Sequence, residues 1–429
     1  MEFMQKNMEK VCVIGLGYVG FPLAVLCSVK GYEVYGFDKD ESKLARIERG
    51  ENIVEEKYLD ELLPKAKINI IRDESQMKDC DIFIIAVPTP VDKKHFPDLS
   101  FITAASETVA KNMEKGALVI VESTINPGVC EEIVKPIFEK AGFSVGRDVY
   151  ISHCPERINP GDPKWNVTNI PRVVGSFDEK GLEKTVRFYE SIISAKIMPM
   201  KTIFEAEAVK IMENSFRDIN IAFANELAKS FDLMGIDAVN VIRGASTKPF
   251  AFMAHWPSCG VGGHCIPVDP YYLIEKAKEN DFDHQFLRLA RAINNGMPEY
   301  TVGLLENLLK EAGKTIKDTS VGLLGVSYKA NVGDLRESPA LKIIELLKKN
   351  GAKLDIYDPF VPSLSTVRNI DELLEKTKAL VLATGHNEFI KIPPKKFKDM
   401  GIKVIVDGMN CLDKDKILAL GIKYKGIGR

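Results

Sequence analysis

The sequence lacks the features that mark several broad classes of protein. The formal net charge of the 429 residues is only −2, which gives no reason to expect binding to nucleic acid or to an anionic membrane. No apolar run approaches the ~20 residues needed to span a bilayer. The eight cysteines form no Cys-x-x-Cys pair, which argues against a zinc ribbon or a redox dithiol. We therefore expect no metal site, no nucleic-acid partner and no membrane association.

The start of the chain also lacks the pattern of a secretory signal. Residues 1–10 are polar and run directly into an apolar segment, so we expect a cytoplasmic protein without a disulfide scaffold. The composition, 45% hydrophobic and 28% charged, is that of an ordinary globular protein. At roughly 150 residues per domain, the chain is long enough for two or three domains.

The first segment has the pattern of a dinucleotide-binding βαβ unit. An apolar strand at residues 11–14 precedes the fingerprint Gly15-Leu16-Gly17-Tyr18-Val19-Gly20. A helix follows, and the next strand ends at Asp38, as this binding motif requires. The glycines allow backbone to approach a pyrophosphate, and the helix N-terminus supplies N–H groups. Asp38 would bind ribose hydroxyls and repel a 2′-phosphate, which favours NAD over NADP; the alternative is a glycine-rich turn without a ligand.

Further apolar strands alternate with helices in the N-terminal part of the chain. Residues 81–87 and 117–121 form two such strands, and each ends in a polar loop, with Thr89 in the first and Thr124 in the second. Continuous apolar strands of this kind predict a parallel sheet covered on both faces. Ligands bind beyond the carboxyl ends of such strands, so we expect both threonines on the cofactor side.

The end of the chain repeats this pattern. A strand at 321–325, a helix at 339–350 and a strand ending at Asp358 predict a second Rossmann-like domain. Its first loop lacks the glycine fingerprint but carries Lys329 and Arg336, which can hold a phosphate by charge. We therefore expect NAD at one end of the chain and a nucleotide-bearing substrate at the other.

Helical periodicity at 203–234 and 283–312, the latter interrupted near Gly296, separates the two nucleotide-binding patterns. The predicted organisation is an NAD-binding Rossmann-like domain over 1–202, a central helical dimerisation region with a cysteine loop over 203–312, and a C-terminal substrate-binding Rossmann-like domain over 313–429. The fold class is thus α/β, with two doubly wound parallel sheets.

Lys210 and Asn214 are candidate catalytic residues on the first of these helices. They lie four residues apart and therefore share a helix face. A lysine and an amide side by side bind and polarise an alcohol or carbonyl oxygen. The alternative is an ordinary solvated helix face. The position of this helix directly after the first α/β domain, where it would cross the cofactor cleft, favours catalysis.

Cys265 is the candidate nucleophile. It follows Gly262 and Gly263 in a glycine-rich loop, which allows backbone to wrap a substrate closely, and precedes Asp269 by four residues. A thiol near a helix N-terminus ionises more easily and attacks an aldehyde. This suggests oxidation of an alcohol to an aldehyde, capture on sulfur and a second oxidation. An inert buried cysteine is the alternative, but this loop supplies few apolar neighbours.

The neighbours Glu156 and Arg157 follow another short strand. Glu156 is a candidate for holding a hydrolytic water, and Arg157 for binding phosphate or sugar oxygens. The alternative is an ordinary surface pair, which adjacent Glu and Arg residues more often form.

Together these motifs resemble the nucleotide-sugar 6-dehydrogenase family, which includes UDP-glucose, GDP-mannose and UDP-N-acetylhexosamine dehydrogenases. The resemblance covers essentially the whole chain, and the motifs occur in the family's order. The matching stretches are Gly15–Gly20, Val87-Pro88-Thr89-Pro90, Glu122-Ser123-Thr124, Pro155-Glu156-Arg157, Glu205-Ala206-Glu207 with Lys210 and Asn214, residues 262–270, and residues 334–339.

The resemblance implies a four-electron oxidation of a UDP-sugar with two NAD per turnover, in a homodimer or a dimer of dimers. The catalytic residues it implies are Cys265, Lys210, Asn214, Asp269, Glu156 and Thr124. The cofactor-binding residues it implies are Gly15, Gly17, Tyr18, Val19, Gly20, Asp38, Lys43, Thr89, Thr124 and Arg336. The substrate-binding residues it implies are Glu156, Arg157, Lys210, Asn214, Gly262, Gly263 and Lys329.

In this family pattern Lys210 and Asn214 stabilise the oxyanion, and Asp269 assists proton transfer through a water. Cys265 takes the aldehyde as a thiohemiacetal, which is oxidised to a thioester. Glu156 and Thr124 position the water that releases the carboxylate.

The sequence around Glu156 and Cys265 is similar to the N-acetylhexosamine branch, whose members act in polysaccharide biosynthesis. We expect UDP-N-acetylmannosamine as substrate, with UDP-N-acetylglucosamine and UDP-glucose as alternatives. Two departures concern sugar contacts: Lys248-Pro249-Phe250 and Met409 stand where relatives carry arginine. Alternatives from other classes are a one-step hydroxyacid dehydrogenase, which needs neither the cysteine loop nor a second nucleotide domain, and a non-catalytic NAD sensor.

Overall fold

Two open α/β sheets organise the chain. The computed structural model describes residues 9–54, 56–92, 96–158 and 164–429. They divide into a first unit, Met1–Glu213 with Tyr271–Asn280, and a second unit, Asn214–Pro270 with Asp281–Arg429. The prediction that the chain has no signal peptide depends on the polar residues at its start. Of these, residues 1–8 lie outside the described residues. No helix in the described ranges is both long and apolar enough to cross a membrane.

The first unit contains an eight-stranded sheet in the order β3-β2-β1-β4-β5-β6-β7-β8. Its strands are β1 (Lys10–Ile14), β2 (Glu33–Phe37), β3 (Ile68–Ile70), β4 (Ile82–Ile85), β5 (Ala117–Val121), β6 (Val149–His153), β7 (Arg172–Ser176) and β8 (Ile197–Pro199). Its helices are α1 (Gly20–Val29), α2 (Glu41–Glu48), α3 (Leu59–Leu62), α4 (Ser100–Asn112), α5 (Lys135–Lys140) and α6 (Glu179–Ile192). Strands β1 to β6 are parallel, whereas β7 is antiparallel to β6 and parallel to β8.

The residues of β1 show why this sheet is buried on both faces. Successive side chains of a strand point to opposite faces. Val11 and Val13 pack into one apolar core with residues of α1 and α6, while Cys12 and Ile14 pack into a second core with residues of α4 and α5. The parallel, doubly covered sheet predicted from continuous apolar strands is confirmed, apart from the reversal at β7.

Five further helices follow in the chain. They are α7 (Ile203–Leu233), α8 (Ala238–Ala245), α9 (Asp269–Lys278), α10 (Gln285–Asn295) and α11 (Met297–Glu311). The long helix predicted at 203–234 is confirmed by the 31 residues of α7. The predicted interruption near Gly296 is also confirmed, since α10 ends immediately before it and α11 begins immediately after it.

The second unit contains a five-stranded parallel sheet in the order β10-β9-β11-β12-β13. Its strands are β9 (Ser320–Leu324), β10 (Lys353–Tyr357), β11 (Ala379–Leu382), β12 (Val404–Asp407) and β13 (Lys423–Gly426). The accompanying helices are α12 (Pro339–Lys349), α13 (Ile370–Lys376), α14 (Asn387–Ile390), α15 (Pro394–Asp399) and α16 (Lys414–Ala419). The order β10-β9-β11-β12 repeats β2-β1-β4-β5, so the second Rossmann-like domain predicted from the sequence is confirmed.

Shorter helical turns connect these elements. Among the residues that the structure describes, they comprise three 3₁₀ turns, Leu63–Lys65, Glu74–Met77 and Pro362–Leu364, and one π-helical turn, Cys130–Val134.

Candidate active site

The glycine fingerprint forms a cradle at the carboxyl end of β1. Gly15 has φ +92°, and a Cβ there would lie 2.6 Å from the carbonyl oxygen of Ala86. A Cβ on Gly20 would lie 1.9 Å from the carbonyl oxygen of Gly15, so the first turn of α1 packs directly on the loop. Gly17, in contrast, has no atom within 4 Å of its Cβ position. This open side allows a dinucleotide pyrophosphate to approach the backbone.

Asp38 stands directly after β2, as the sequence predicts. Its Oδ2 accepts hydrogen bonds from Leu16 N at 2.8 Å and from Lys43 Nζ at 2.7 Å, and its Oδ1 accepts one from Asp40 N at 3.0 Å. Burial acts to raise the pKa of Asp38, but the hydrogen bonds from Lys43 and the backbone outweigh it and lower the pKa. The carboxylate is therefore ionised, which is the state that accepts ribose hydroxyls and repels a 2′-phosphate.

The other predicted cofactor residues of the first unit lie along the same edge of the sheet. Tyr18 is exposed on the loop before α1, and Val19 is half-buried beside it. Thr89 follows β4 and is buried, and its carbonyl oxygen accepts a hydrogen bond from the Tyr272 hydroxyl. Thr124 follows β5 and is half-buried. The carboxyl ends of β1, β2, β4 and β5 thus bring the predicted cofactor residues of this unit to one edge.

Helix α7 positions Lys210 on its buried side. One turn earlier, both carboxylate oxygens of Glu207 accept backbone hydrogen bonds, from Gly128 N at 2.6 Å and Cys130 N at 2.9 Å. These bonds fix the helix against the segment that follows β5. Lys210 is only 9% exposed, yet no hydrogen bond or ion pair involves its ammonium group within the described ranges. A buried cation without a protein partner is a group available to an anionic or oxyanionic ligand.

Asn214, Asp269 and Cys265 are linked directly in the second unit. Asn214 Nδ2 donates a hydrogen bond to Asp269 Oδ2 at 2.5 Å, although 55 residues separate them in the sequence. Asp269 is 1% exposed and begins α9, and its backbone N–H donates to Cys265 O at 2.8 Å. Cys265 is half-buried in the turn just before this helix. The backbone of Cys265 is therefore bonded to the first residue of α9, and the catalytic functions assigned to the thiol and to the Asp269 carboxylate stay predictions.

The glycines before Cys265 pack against the first loop of the second Rossmann-like domain. A Cβ on Gly262 would lie 2.6 Å from Tyr328 Cβ, and one on Gly263 would lie 2.8 Å from the Tyr328 ring. Gly263 also has φ +91°, and its N–H donates to Arg336 O at 2.9 Å. Glycine is required at both positions because the cysteine loop lies directly on this loop.

The first loop of this second domain is held differently from the glycine cradle of the first. Asp358, the counterpart of Asp38, is fully buried, and its Oδ2 accepts hydrogen bonds from Val326 N at 2.7 Å, Ser327 N at 3.0 Å and His386 Nε2 at 3.1 Å. Burial acts to raise the pKa of Asp358, but the bonds from His386 and the two amides lower it strongly. The carboxylate therefore braces its own loop and is closed to a ribose.

Lys329 and Arg336 lie on either side of the turn in this loop. Lys329 is half-buried. Arg336 donates from Nε and Nη2 to the two carboxylate oxygens of Asp334, at 3.0 and 2.6 Å. Its assignment to the cofactor stays a prediction, since it belongs to the second unit and the glycine cradle to the first.

Both carboxyl oxygens of Glu156, which follows β6, accept hydrogen bonds. Its Oε1 accepts hydrogen bonds from Arg157 N at 2.6 Å and Ile158 N at 2.8 Å, and its Oε2 accepts one from Arg172 Nη2 at 2.6 Å. Arg172 also donates to Glu122 at 3.0 Å. These contacts place Glu156 in a buried ion-pair cluster and fix its orientation.

The side chain of Arg157 turns away from that cluster. Its Nε donates to Glu213 Oε2 at 3.1 Å on α7, and its Nη1 donates to Pro171 O at 3.0 Å. The neighbours Glu156 and Arg157 therefore have separate partners. Within the described part of the chain, no three His, Cys, Asp or Glu side chains group closely enough to hold a metal ion.

Sequence reasoning missed Arg172, Glu122 and Tyr189. Glu122 lies in the motif Glu122-Ser123-Thr124, but only Thr124 of that motif was assigned a function. The sequence does contain a signal for this cluster, because Arg172 begins the apolar strand segment Arg172–Ser176. A cation in a buried strand needs a carboxylate partner, so this arginine could have predicted a buried ion pair.

Comparison with known proteins matches three domains of one family along the chain. Residues 9–193 match the NAD binding domain of the UDP-glucose/GDP-mannose dehydrogenase family, residues 204–296 its central domain, and residues 322–414 its UDP binding domain.

Individual relatives match over nearly the full length. The chain is 36% identical to UDP-N-acetyl-D-mannosamine dehydrogenase of Pyrococcus horikoshii over 425 residues, covering 98% of this chain and 99% of that protein. It is 35% identical to UDP-N-acetyl-D-glucosamine 6-dehydrogenase of Pseudomonas aeruginosa, covering 95% and 98%. The solved structure of the P. horikoshii UDP-D-ManNAc dehydrogenase superposes with a TM-score of 0.91, covering 98% of this chain and 99% of the other. The chain therefore belongs to the UDP-glucose/GDP-mannose dehydrogenase family.

Proposed function

We propose that this NAD-dependent nucleotide-sugar dehydrogenase oxidises the C6 hydroxyl of UDP-N-acetyl-D-mannosamine to a carboxylate, with two NAD per turnover. The observation that carries the proposal is Lys210. It is a buried cation without a partner in the described residues, and it lies one helical turn before Asn214, which is bonded to Asp269. Such a group is suited to stabilising the negative oxygen that develops as an alcohol loses its hydrogen.

The first oxidation requires an oxyanion site and a proton acceptor. Bound NAD supplies the hydride acceptor, and the glycine cradle with Asp38 fits this cofactor. Lys210 and the Asn214 amide stabilise the C6 oxygen as its proton leaves, and Asp269 accepts that proton through a water. Asn214 is oriented for this function by its 2.5 Å hydrogen bond to Asp269.

Cys265 carries the second oxidation. Its sulfur adds to the aldehyde carbon, and the aldehyde oxygen takes up a proton, which gives a thiohemiacetal. Loss of a second hydride and of that hydroxyl proton gives a thioester. A water positioned by Glu156 and Thr124 adds its oxygen to the carbonyl carbon, the C–S bond breaks with its electron pair going to sulfur, and the carboxylate is released.

The sugar is inferred from the relatives. The P. horikoshii protein supports UDP-N-acetyl-D-mannosamine, and the P. aeruginosa protein supports UDP-N-acetylglucosamine as the second candidate. Lys329 and the loop around it, in the domain that matches UDP binding, would hold the nucleotide. Lys248 lies 4.9 Å from the ring centroid of the exposed Phe250, so this departure from the family pattern is a cation–π pair.

We also infer a homodimer through helix α7. Met212, Phe216 and Phe223 are all large, apolar and exposed. Their spacing of four and seven residues places them on one face of the helix. A second copy of the chain would bury this face. A dimer of dimers and a cytoplasmic location both remain predictions.

The test is oxidation of a panel of UDP-sugars by the purified protein. UDP-N-acetyl-D-mannosamine should give two NADH per sugar and a product mass that corresponds to the uronate, at a higher kcat/KM than UDP-N-acetylglucosamine or UDP-glucose. One NADH per sugar would indicate a one-step dehydrogenase. NAD binding with no turnover of any sugar would indicate a sensor, and either result would contradict the proposal.

A further inference from the structure

A buried cluster of charged groups lies behind Glu156 at the carboxyl edge of the first sheet. Arg172 is 1% exposed and bonds two carboxyls at once, Glu122 at 3.0 Å and Glu156 at 2.6 Å. The Tyr189 hydroxyl donates to the same Glu122 oxygen, and its ring lies 5.1 Å from the Arg172 guanidinium carbon. One buried guanidinium thus bonds two buried carboxyls.

The strand directions explain how these distant residues meet. Glu122 follows the carboxyl end of β5, and Glu156 follows the carboxyl end of the parallel neighbour β6. Strand β7 is antiparallel to β6, so its first residue, Arg172, lies at that same edge. The reversal of one strand therefore delivers a cation to the two carboxyls.

The two carboxyls have different hydrogen-bond partners. Glu156 accepts three hydrogen bonds, two from backbone amides and one from Arg172, so that both of its carboxyl oxygens have donors. Glu122 bonds Arg172 and Tyr189 through Oε1 only, and its Oε2 has no partner in the described ranges. If both carboxyls were ionised, the buried cluster would carry a net charge of −1, which is costly away from water. Glu122 is therefore the carboxyl that holds a proton.

The groups around the cluster do not compete for this proton near neutral pH. Burial raises the pKa of Glu122 to about 7. Burial also raises the pKa of Tyr189 and Cys27 strongly and that of Cys154 to about 12. Tyr58, which faces Glu156, likewise has its pKa raised by burial.

We propose that Arg172 and Glu122 are positioning residues for Glu156. Arg172 fixes one carboxylate oxygen of Glu156. When Glu122 is protonated, the positive charge of Arg172 is compensated by Glu156 alone; when Glu122 is ionised, the two carboxylates share it. This inference rests on the proposed function, in which Glu156 positions the water that cleaves the thioester. That water gives up a proton as its oxygen bonds to carbon. When Glu122 is ionised, its negative charge makes Glu156 a better acceptor for that proton.

The test compares wild type with Glu122→Gln, which keeps the shape of the side chain and removes its charge. Glu132→Gln is the matched control, because it makes the same change at an exposed carboxylate of the same unit that pairs with Lys276 at 2.6 Å. In single-turnover experiments from pH 5.5 to 9, release of the carboxylate is measured separately from the first NADH. We expect Glu122→Gln to match wild type near pH 6, where Glu122 holds its proton. Near pH 8, where wild-type Glu122 is ionised and the variant side chain stays neutral, the variant should be about tenfold slower, which corresponds to ~1.4 kcal/mol. The pH profile of the first NADH should not change.

A second measurement does not depend on a stable variant. The infrared carbonyl band of a buried protonated carboxyl should titrate near neutral pH in the wild-type protein. Coinciding pH profiles for wild type and Glu122→Gln, or the absence of such a titrating band, would overturn the inference. A protein that oxidises no UDP-sugar would instead refute the proposed function.

Discussion

Replacement of Gly263 by alanine should disable the cysteine loop in a measurable way. Gly263 has φ +91°, and a Cβ there would lie 2.8 Å from a ring carbon of Tyr328. The left-handed backbone costs about 1–2 kcal/mol for a residue with a Cβ, and the steric overlap adds about 1–3 kcal/mol. The combined cost is about 2–5 kcal/mol. In a unit of roughly 200 residues, where each kcal/mol shifts Tm by about 2–4 °C, this lowers Tm by about 4–20 °C.

The chemistry should be affected unevenly. Displacement of the loop breaks the hydrogen bond from Gly263 N to Arg336 O and moves the thiol two residues later. The second oxidation should therefore slow more than the first, as measured by rapid-mixing NADH release alongside thermal unfolding. Gly303→Ala is the control, because that glycine lies in α11 with no atom within 4 Å of its Cβ position. A Gly263→Ala protein with the wild-type Tm and two unchanged oxidation rates would refute the reasoning.

Three further predictions concern cofactor choice and stability. Asp38→Ser should lower the preference for NAD over NADP by about tenfold, a difference of ~1.4 kcal/mol, measured as the ratio of kcat/KM values; an unchanged ratio would exclude Asp38 from ribose recognition. Arg291→Leu should lower the free energy of urea unfolding by about 3–5 kcal/mol, because it removes the arginine that donates a 2.5 Å hydrogen bond to the buried Asp218 carboxylate. Asp218→Leu in the same chain should recover part of that loss. Burial lowers the pKa of His153 from 6.5 to about 3. The unfolded state therefore binds a proton at a higher pH than the folded state does, and the free energy of unfolding falls as the pH drops below about 6.5. His153→Leu should flatten that decline in unfolding experiments between pH 7.5 and 5, and an unchanged slope would contradict this assignment.

The parts of the fold that depend on local pattern could be predicted from the sequence. Glycine spacing followed by Asp38 identified the NAD cradle, because turn geometry and pyrophosphate approach restrict those few positions closely. The buried strands and helix α7 followed from hydrophobic periodicity. The repeat of β1-α1-β2 as β9-α12-β10 followed from the same signal, since apolar content and length are local properties of a chain.

The parts that depend on strand order could not be predicted. Arg172 lies 50 residues from Glu122 and 16 from Glu156, and only the reversal of β7 brings them together. The pairing of Asn214 with Asp269 spans 55 residues in the same way. Likewise, Glu156 and Arg157 are adjacent in sequence, but the side chain of each has its own partners, Arg172 for Glu156 and Glu213 for Arg157. Asp358 resembles Asp38 in sequence, but its burial against His386 gives it a bracing function.

The measurement that tests the central claim most directly is the NADH yield and product mass of Cys265→Ala with UDP-N-acetyl-D-mannosamine. In the mechanism that we propose, the thiol is required for the second oxidation but is dispensable for the first. Cys265→Ala should therefore release at most one NADH per sugar, with the aldehyde or its hydrate as product, while Lys210→Met should release no NADH. Two NADH per sugar and full conversion to the uronate by Cys265→Ala at the wild-type rate would contradict the account.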